Sequence, residues 1–179
     1  MGSEMCIRDR VLMDLLAQSH PGLVREASPE LAPLADAPLE PFTLDSVAEI
    51  LPLIGIQRFQ SDGATAIYAW VNDVLFAFAL DNGPSLIIKG HWDPSLDEAE
   101  FTRLFLICNG WNRAHHGAVA FCHHTPEGLQ VRMDAATITA AGLTRPQLFS
   151  AIGRGLKHIL HGIDDIAHEV TGASPVEWP

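Results

Sequence analysis

One helical stretch, Asp97–His116, constrains the fold most, because it separates two groups of short strand-like runs. Its apolar residues recur at intervals of three and four, which predicts one buried stripe on an α-helix. Ser95 and Glu98 form an S-x-x-E capping box that predicts the helix start, and Gly117 is a suitable stop. Because Leu106 widens the apolar stripe, we expect this helix to be buried on more than one side.

Three strand regions are predicted before this helix. Gln57–Trp70 contains two strand-like pieces around an Asp-Gly turn, Val74–Leu80 is apolar and aromatic, and Leu86–Trp92 follows it. The turn Asp81-Asn82-Gly83 has residues that tolerate positive φ. Since a parallel crossover needs a dozen or more residues, strands this close in sequence are predicted to pair antiparallel.

A second hairpin is predicted after the central helix. Ala118–His123 and Leu129–Met133 are strand-like, and the Thr-Pro-Glu-Gly sequence between them indicates a turn. Ala135–Ala141 is predicted to extend this hairpin as a ragged edge strand.

Helices are also predicted at both ends of the ordered chain. Thr43 can cap a short helix, Leu44–Leu53. Thr144 and Gln147 form a capping box before the last helix, which has a long apolar stripe and a possible break at Gly162. The predicted order is α-β-β-β-α-β-β-α. This is an α+β plan, with an antiparallel sheet of about five strands and helices mainly on one face.

The chain is predicted to contain one domain, at residues 42–171. Residues 1–41 hold five prolines from position 21 onward and are interpreted as a flexible arm. Residues 1–10 look like translated adapter sequence and are set aside. Residues 172–179 are predicted to be a frayed tail.

Charge and cysteine content narrow the class of protein. A net charge of -11 argues against nucleic-acid partners and against docking to an anionic membrane surface. No run of apolar residues is long enough to span a membrane, and no signal-peptide pattern opens the chain. Cys6, Cys108 and Cys122 do not form a disulfide framework, and the latter two are interpreted as core residues in a reducing compartment. We therefore expect a cytoplasmic protein.

The order of elements and one residue cluster resemble a known family. The matching features are spread over Leu44–Ile166, and the most specific of them is the Asn-x-Trp-Asn cluster at Asn109-Gly110-Trp111-Asn112. The weaker features are Trp70, Gly90-His91-Trp92 and Gly142-Leu143-Thr144 before the final helix. This pattern resembles the bacterial YbjN family, whose fold is similar to type III secretion chaperones. Members of the family are provisionally described as regulators of sensory transduction. The resemblance implies no catalytic residues and does not include the proline-rich arm.

Catalytic chemistry finds little support in the sequence. The chain contains no nucleophile elbow, P-loop or dinucleotide-binding motif, so we expect a non-enzymatic protein without a cofactor. Asp164-Asp165 is interpreted as part of a solvated face. The alternative is a metal-dependent enzyme or metal sensor, because His158 and His161 are spaced i, i+3 on one helix. A further ligand would come from His115, His116, His123 or His124.

The expected function is therefore a protein-binding module, chaperone-like or regulatory, that forms a homodimer and holds a polypeptide partner. Aromatic residues dominate interface energetics, and the candidate contact residues are Trp70, Trp92, Phe105 and Trp111. Asn109 and Asn112 are predicted to be structural, with amides that bind carbonyls at the helix end or join it to the next strand. A purely structural accessory domain, with the arm recruiting something else, is a third possibility.

Overall fold

Stretches of alternating or continuous apolar residues form the strands of this chain, and stretches with apolar spacing of three and four form its helices. The computed structural model describes residues 38–80 and 85–177. The helices are α1 Leu44–Ile50, α2 Phe101–Ala114 and α3 Arg145–Thr171. The strands are β1 Gln60–Ser61, β2 Ala66–Val71, β3 Val74–Leu80, β4 Ser85–Trp92, β5 Val119–Thr125 and β6 Gly128–Ile138.

The strands form one antiparallel sheet in the order β1-β2-β3-β4-β6-β5. The predicted α+β class with an antiparallel sheet is therefore confirmed, with six strands in place of about five because of the two-residue β1. The first four residues of the predicted edge strand, Ala135–Ala141, extend the second hairpin as expected, as a continuation of β6. They pair with β4 alone, because the pairing of β6 with β5 ends at Asp134. Residues 139–141 lie beyond the strand.

The helices pack on one face of the sheet, and glycines allow the closest approach. A Cβ atom at Gly90 of β4 would overlap the Ile159 side chain of α3. A Cβ atom at Gly155 of α3 would lie 2.6 Å from Ile88 Cδ1. Glycine on both elements lets the long α3 lie directly on the middle of the sheet. The core consists of this helix face, the covered sheet face and parts of α1 and α2.

The central helix differs from the prediction at its start and in its burial. Ser95 has φ +54°, so it lies outside the extended conformation of an N-cap, and a 3-10 turn at Glu98–Glu100 leads into α2. The helix ends at Ala114, three residues before Gly117. It is also buried on one side only, because Leu106 is 63% exposed and Phe105 is 49% exposed.

The caps of the other two helices follow the sequence closely. Thr43 and Ser46 bind each other's backbone at the start of α1, which ends at Ile50 and continues as a 3-10 turn, Leu51–Ile54. Thr144 and Gln147 form the predicted capping box of α3. Helix α3 is continuous through Gly162.

The ordered structure extends beyond both predicted domain boundaries. Glu40 forms an antiparallel bridge with Leu143, so the chain is already paired before residue 42. The expected frayed tail is wrong for Val176, which is 6% exposed and belongs to the core. The rest of the predicted arm, residues 1–37, the Asp81-Asn82-Gly83 turn and residues 178–179 lie outside the described residues. Within the described part of the chain, no helix has the length and apolar character needed to cross a membrane.

Candidate functional site

An open groove lies between helices α2 and α3. Its volume is about 500 Å³, within the range of about 300–1,000 Å³ that is usual for ligand sites. The α2 side includes the exposed Leu106 and Gly110, whose missing Cβ would meet nothing within 4 Å. The α3 side includes Asp165 and Glu169, both exposed carboxylates. The remaining lining residues are Ile107, Trp111, Ala114, His115 and Ile166.

The floor of the groove is held by Trp111. Its indole Nε1 donates a hydrogen bond to Asp165 Oδ2 across the two helices, at 3.0 Å. The His115 ring stacks on the indole, with centroids 4.6 Å apart and planes 12° apart. His115 Nδ1 also lies 3.1 Å from the Trp111 carbonyl oxygen. These contacts fix the orientation of the indole, so the groove is formed before any ligand binds.

Arg103 fixes the other end of the helix pair. Its guanidinium forms an ion pair of 3.0 Å with Glu100. It also donates hydrogen bonds to the backbone carbonyls of Glu169 and Val170 in the last turn of α3, at 3.0 and 3.4 Å. Both carbonyls are among the last four of α3, and the last four carbonyls of a helix have no partner within it. The groove therefore has a fixed width at both ends.

The Asn-x-Trp-Asn cluster joins α2 to the sheet. Asn112 donates from Nδ2 to the Ala120 carbonyl, and its Oδ1 accepts from the Ala120 N–H, both at 2.8 Å. One helical turn earlier, Cys108 interacts with Cys122, two residues along β5. Burial, together with the neighbouring Cys122, raises the pKa of the Cys108 thiol to about 12. Burial also raises the pKa of Cys122, so both thiols are protonated at neutral pH.

The structure separates the predicted contact residues into two groups. Trp92 and Trp111 are 7% and 8% exposed and belong to the core. Trp70 and Phe105 are 44% and 49% exposed. Trp70 lies on the sheet face opposite the helices, and Phe105 stacks on Phe101 with ring centroids 6.2 Å apart.

The histidines do not converge. Among the described residues, no group of three or more His, Cys, Asp or Glu side chains could hold a metal ion. His158 lies against Gly117, where a Cβ atom would be 2.7 Å from the ring. Burial lowers the pKa of both His158 and His161, and the nearby Lys157 lowers it further. The metal-site alternative therefore gains no support from the geometry.

Sequence reasoning missed the acidic side of the groove. Asp165 was expected on a solvated face, yet its carboxylate, although exposed, is the hydrogen-bond acceptor for a core tryptophan. The signal that could have identified it is its place on the apolar stripe of α3, directly before Ile166. A carboxylate that borders an apolar stripe can reach a polar group on the neighbouring helix while it stays partly exposed to water.

The architecture has counterparts among known protein structures. The chain is an α+β protein in which one layer of three helices packs on one face of an antiparallel sheet. A crystal structure of YbjN from E. coli, provisionally assigned as a transcription regulator, matches it with a TM-score of 0.59. The match covers 75% of this chain and 96% of YbjN at 14% identity. The predicted YbjN-like fold is thereby confirmed. No family model and no curated protein matches the chain.

Proposed function

We propose that this protein is a non-enzymatic, polypeptide-binding regulator that holds an amphipathic helix of a partner protein in the groove between α2 and α3. The observation that carries the proposal is the combination of an exposed leucine and an open glycine on one wall with carboxylates on the other, in one preformed groove. The regulatory role draws on the likeness to YbjN, which has that provisional assignment.

The shape of the groove suits a helix. The lining follows α2 from Leu106 to the residue after its end, His115, a span of ten residues. This span corresponds to roughly 14 Å or two and a half turns of a docked helix. Helices that bind in grooves present apolar residues at intervals of three, four and seven. Gly110, in the middle of this length, leaves room for one large side chain of the partner.

Charge selects the kind of helix. Asp165 and Glu169 line the α3 side, and Glu169 forms no ion pair with any residue that the structure describes. The whole chain has a net charge of -11. A helix with lysine or arginine beside its apolar stripe would therefore be attracted to this groove, and an acidic helix would be repelled.

The test uses a synthetic 16-residue peptide with leucines at helical spacing and lysines along one side of the leucine stripe. Fluorescence anisotropy of the labelled peptide measures its affinity for the full chain. We expect Leu106→Asp to weaken binding at least about tenfold, a change of about 1.4 kcal/mol, because it places a charge on the apolar wall. Glu169→Lys should weaken it at low salt, by repulsion of the peptide lysines.

The matched control is Leu53→Asp, since Leu53 is 47% exposed but does not line the groove. The same peptide with glutamates in place of lysines should bind more weakly. Equal affinity for the wild type and Leu106→Asp would disprove the site. Stronger binding of the glutamate peptide would disprove the charge argument.

A further inference from the structure

The sheet has a second face that the described helices do not cover. Side chains alternate along each strand, and those of Ile88 and Met133 point to the helices. Their neighbours in sequence point to the opposite face, which we call the open face. It includes five large apolar side chains with high exposure: Tyr68 39%, Trp70 44%, Val119 47%, Phe121 41% and Ile138 80%.

The register arranges the open face in rows across the sheet. One row consists of Trp70, Leu75, His91, Arg132 and Phe121, and the next of Tyr68, Ala77, Lys89, Asp134 and Val119. Both rows begin and end with large apolar side chains, on β2 and on β5. Leu75 and Ala77 of β3 extend the apolar flank of β2, and the charged and polar residues of both rows lie on β4 and β6. In these two rows the open face is therefore apolar at its two flanks and polar on β4 and β6.

The two rows of the open face carry a small positive charge, in contrast to the acidic groove. Arg132 forms an ion pair with Asp134 at 3.0 Å, and its guanidinium lies 5.0 Å from the centre of the Phe121 ring. Lys89 is opposite Asp134 in the register. The two rows thus carry two cations and one anion in a chain of net charge -11. A second copy of this chain would meet little repulsion at this face, whereas two groove walls would repel each other.

The size of the open face is that of a dimer interface. Its five long strands occupy roughly 24 Å across at about 4.8 Å each, and the eight residues of β4 extend roughly 27 Å. This gives roughly 650 Å² in projection, and the accessible area is larger because the side chains stand out from the sheet. Stable interfaces bury about 800 Å² on each partner.

We propose that a second copy of this chain covers the open face, so that the protein is a two-fold dimer joined sheet to sheet. In such a dimer the axis runs along the middle long strand, β4, parallel to the strands. Rotation about this axis places the β2 flank of each copy over the β5 flank of the other. Tyr68 and Trp70 then contact Val119 and Phe121 of the second copy. The two Lys89 side chains meet near the axis, each beside Asp134 of its own chain.

This proposal is independent of helix binding in the groove. It also reduces the set of contact residues that the sequence suggested. Trp70 remains an interface residue, while Phe105 and Trp111 do not take part.

The first test is molar mass by light scattering of the full chain between 1 and 100 µM, concentrations chosen to include micromolar dissociation constants. We expect twice the protomer mass of 19.5 kDa for the wild type. Trp70→Asp and Val119→Asp should each shift the protein to the protomer mass, with circular dichroism unchanged because both positions are exposed. Leu53→Asp and Leu106→Asp, which are exposed leucines elsewhere, should remain dimeric. A monomeric wild type, or dimeric Trp70→Asp and Val119→Asp, would overturn the proposal.

A second test identifies what covers the face. The full chain is prepared with the photoreactive residue benzoylphenylalanine at position 119, irradiated and analysed by peptide mass mapping. We expect a covalent dimer with the cross-link on β2 of the other copy. A cross-link within one chain to residues 1–37 would show that the chain's own N-terminal segment lies there, and it would overturn the second copy as occupant. An absence of cross-links would have the same consequence.

Discussion

Two glycines on facing helices allow a sharp test of the packing that forms the groove. Gly162 of α3 approaches the sheet and α2 so closely that an added Cβ would overlap Met133 Cε and would lie 2.8 Å from Trp111 Cζ2. Gly110 of α2 faces open space, with no atom within 4 Å of an added Cβ. The same substitution, glycine to alanine inside a helix, should therefore have opposite effects at the two positions.

The magnitudes follow from two opposing terms. Alanine is favoured over glycine inside a helix by about 1 kcal/mol. Overpacking a filled core costs about 1–3 kcal/mol, and at Gly162 the Trp111 ring cannot move without disturbing its hydrogen bond to Asp165. Because the ring is held in this way, we take the upper part of the overpacking range, about 2–3 kcal/mol. After subtraction of the helix term, we expect Gly162→Ala to lower the free energy of unfolding by about 1–2 kcal/mol. We expect Gly110→Ala to raise it by up to about 1 kcal/mol.

Urea denaturation followed by circular dichroism at 222 nm measures both changes. Tryptophan fluorescence should report the shift at Gly162 separately, because the Trp111 ring is displaced. A shift of both variants in the same direction would refute the reasoning, as would a neutral Gly162→Ala. Gly110→Ala should also weaken the binding of the lysine peptide while it stabilises the fold, so the effect on binding can be separated from the effect on stability.

Three further outcomes are expected. Asn112→Ala should destabilise the protein by about 1–3 kcal/mol, because it leaves the N–H and carbonyl of Ala120 without their partner; faster hydrogen exchange at Ala120 is the direct measurement. The lowered pKa of His158 means that the unfolded chain binds protons more readily, so stability present above pH 6.5 should fall as the pH falls below it. Melting temperatures at pH 7.5 and 5.5 should differ less in His158→Gln than in the wild type, and an equal difference would contradict this assignment. In a Cys6→Ser background, iodoacetamide should modify Cys122 before the more buried Cys108, and both slowly at pH 7 because each thiol pKa is raised; mass mapping that finds Cys108 first would contradict the burial argument.

Local sequence signals identified the helix caps and most strands because the interactions involved are local. The reciprocal bonds of Thr144 and Gln147 require only three residues of spacing, and β3 was predicted with its observed bounds. The capping box at Ser95 failed because the backbone there has positive φ, a conformation that its residue type rarely adopts. Spacing alone carried no information about that angle.

Long-range placement was harder to predict. The position of β6 between β4 and β5 depends on pairing between distant segments, and the pattern of Ala135–Ala141 is that of an edge. The groove depends on which side of α2 meets α3, and the sequence showed only that the helix is apolar over much of its surface. For the same reason Leu106 was expected to be buried, and the role of Asp165 as partner of Trp111 was not foreseen.

The amide of Asn112 has a consequence for solubility. The two atoms that it binds, the N–H and carbonyl of Ala120, belong to β5, the last strand of the sheet order. An unpaired strand edge is a template for further strands and thus for aggregation. Here a side-chain amide takes the place that a neighbouring peptide group would occupy, and it blocks that edge at the second residue of β5. Another strand therefore cannot pair with β5 at Ala120, and a chain that lacks this amide would expose one more pair of backbone groups on the edge.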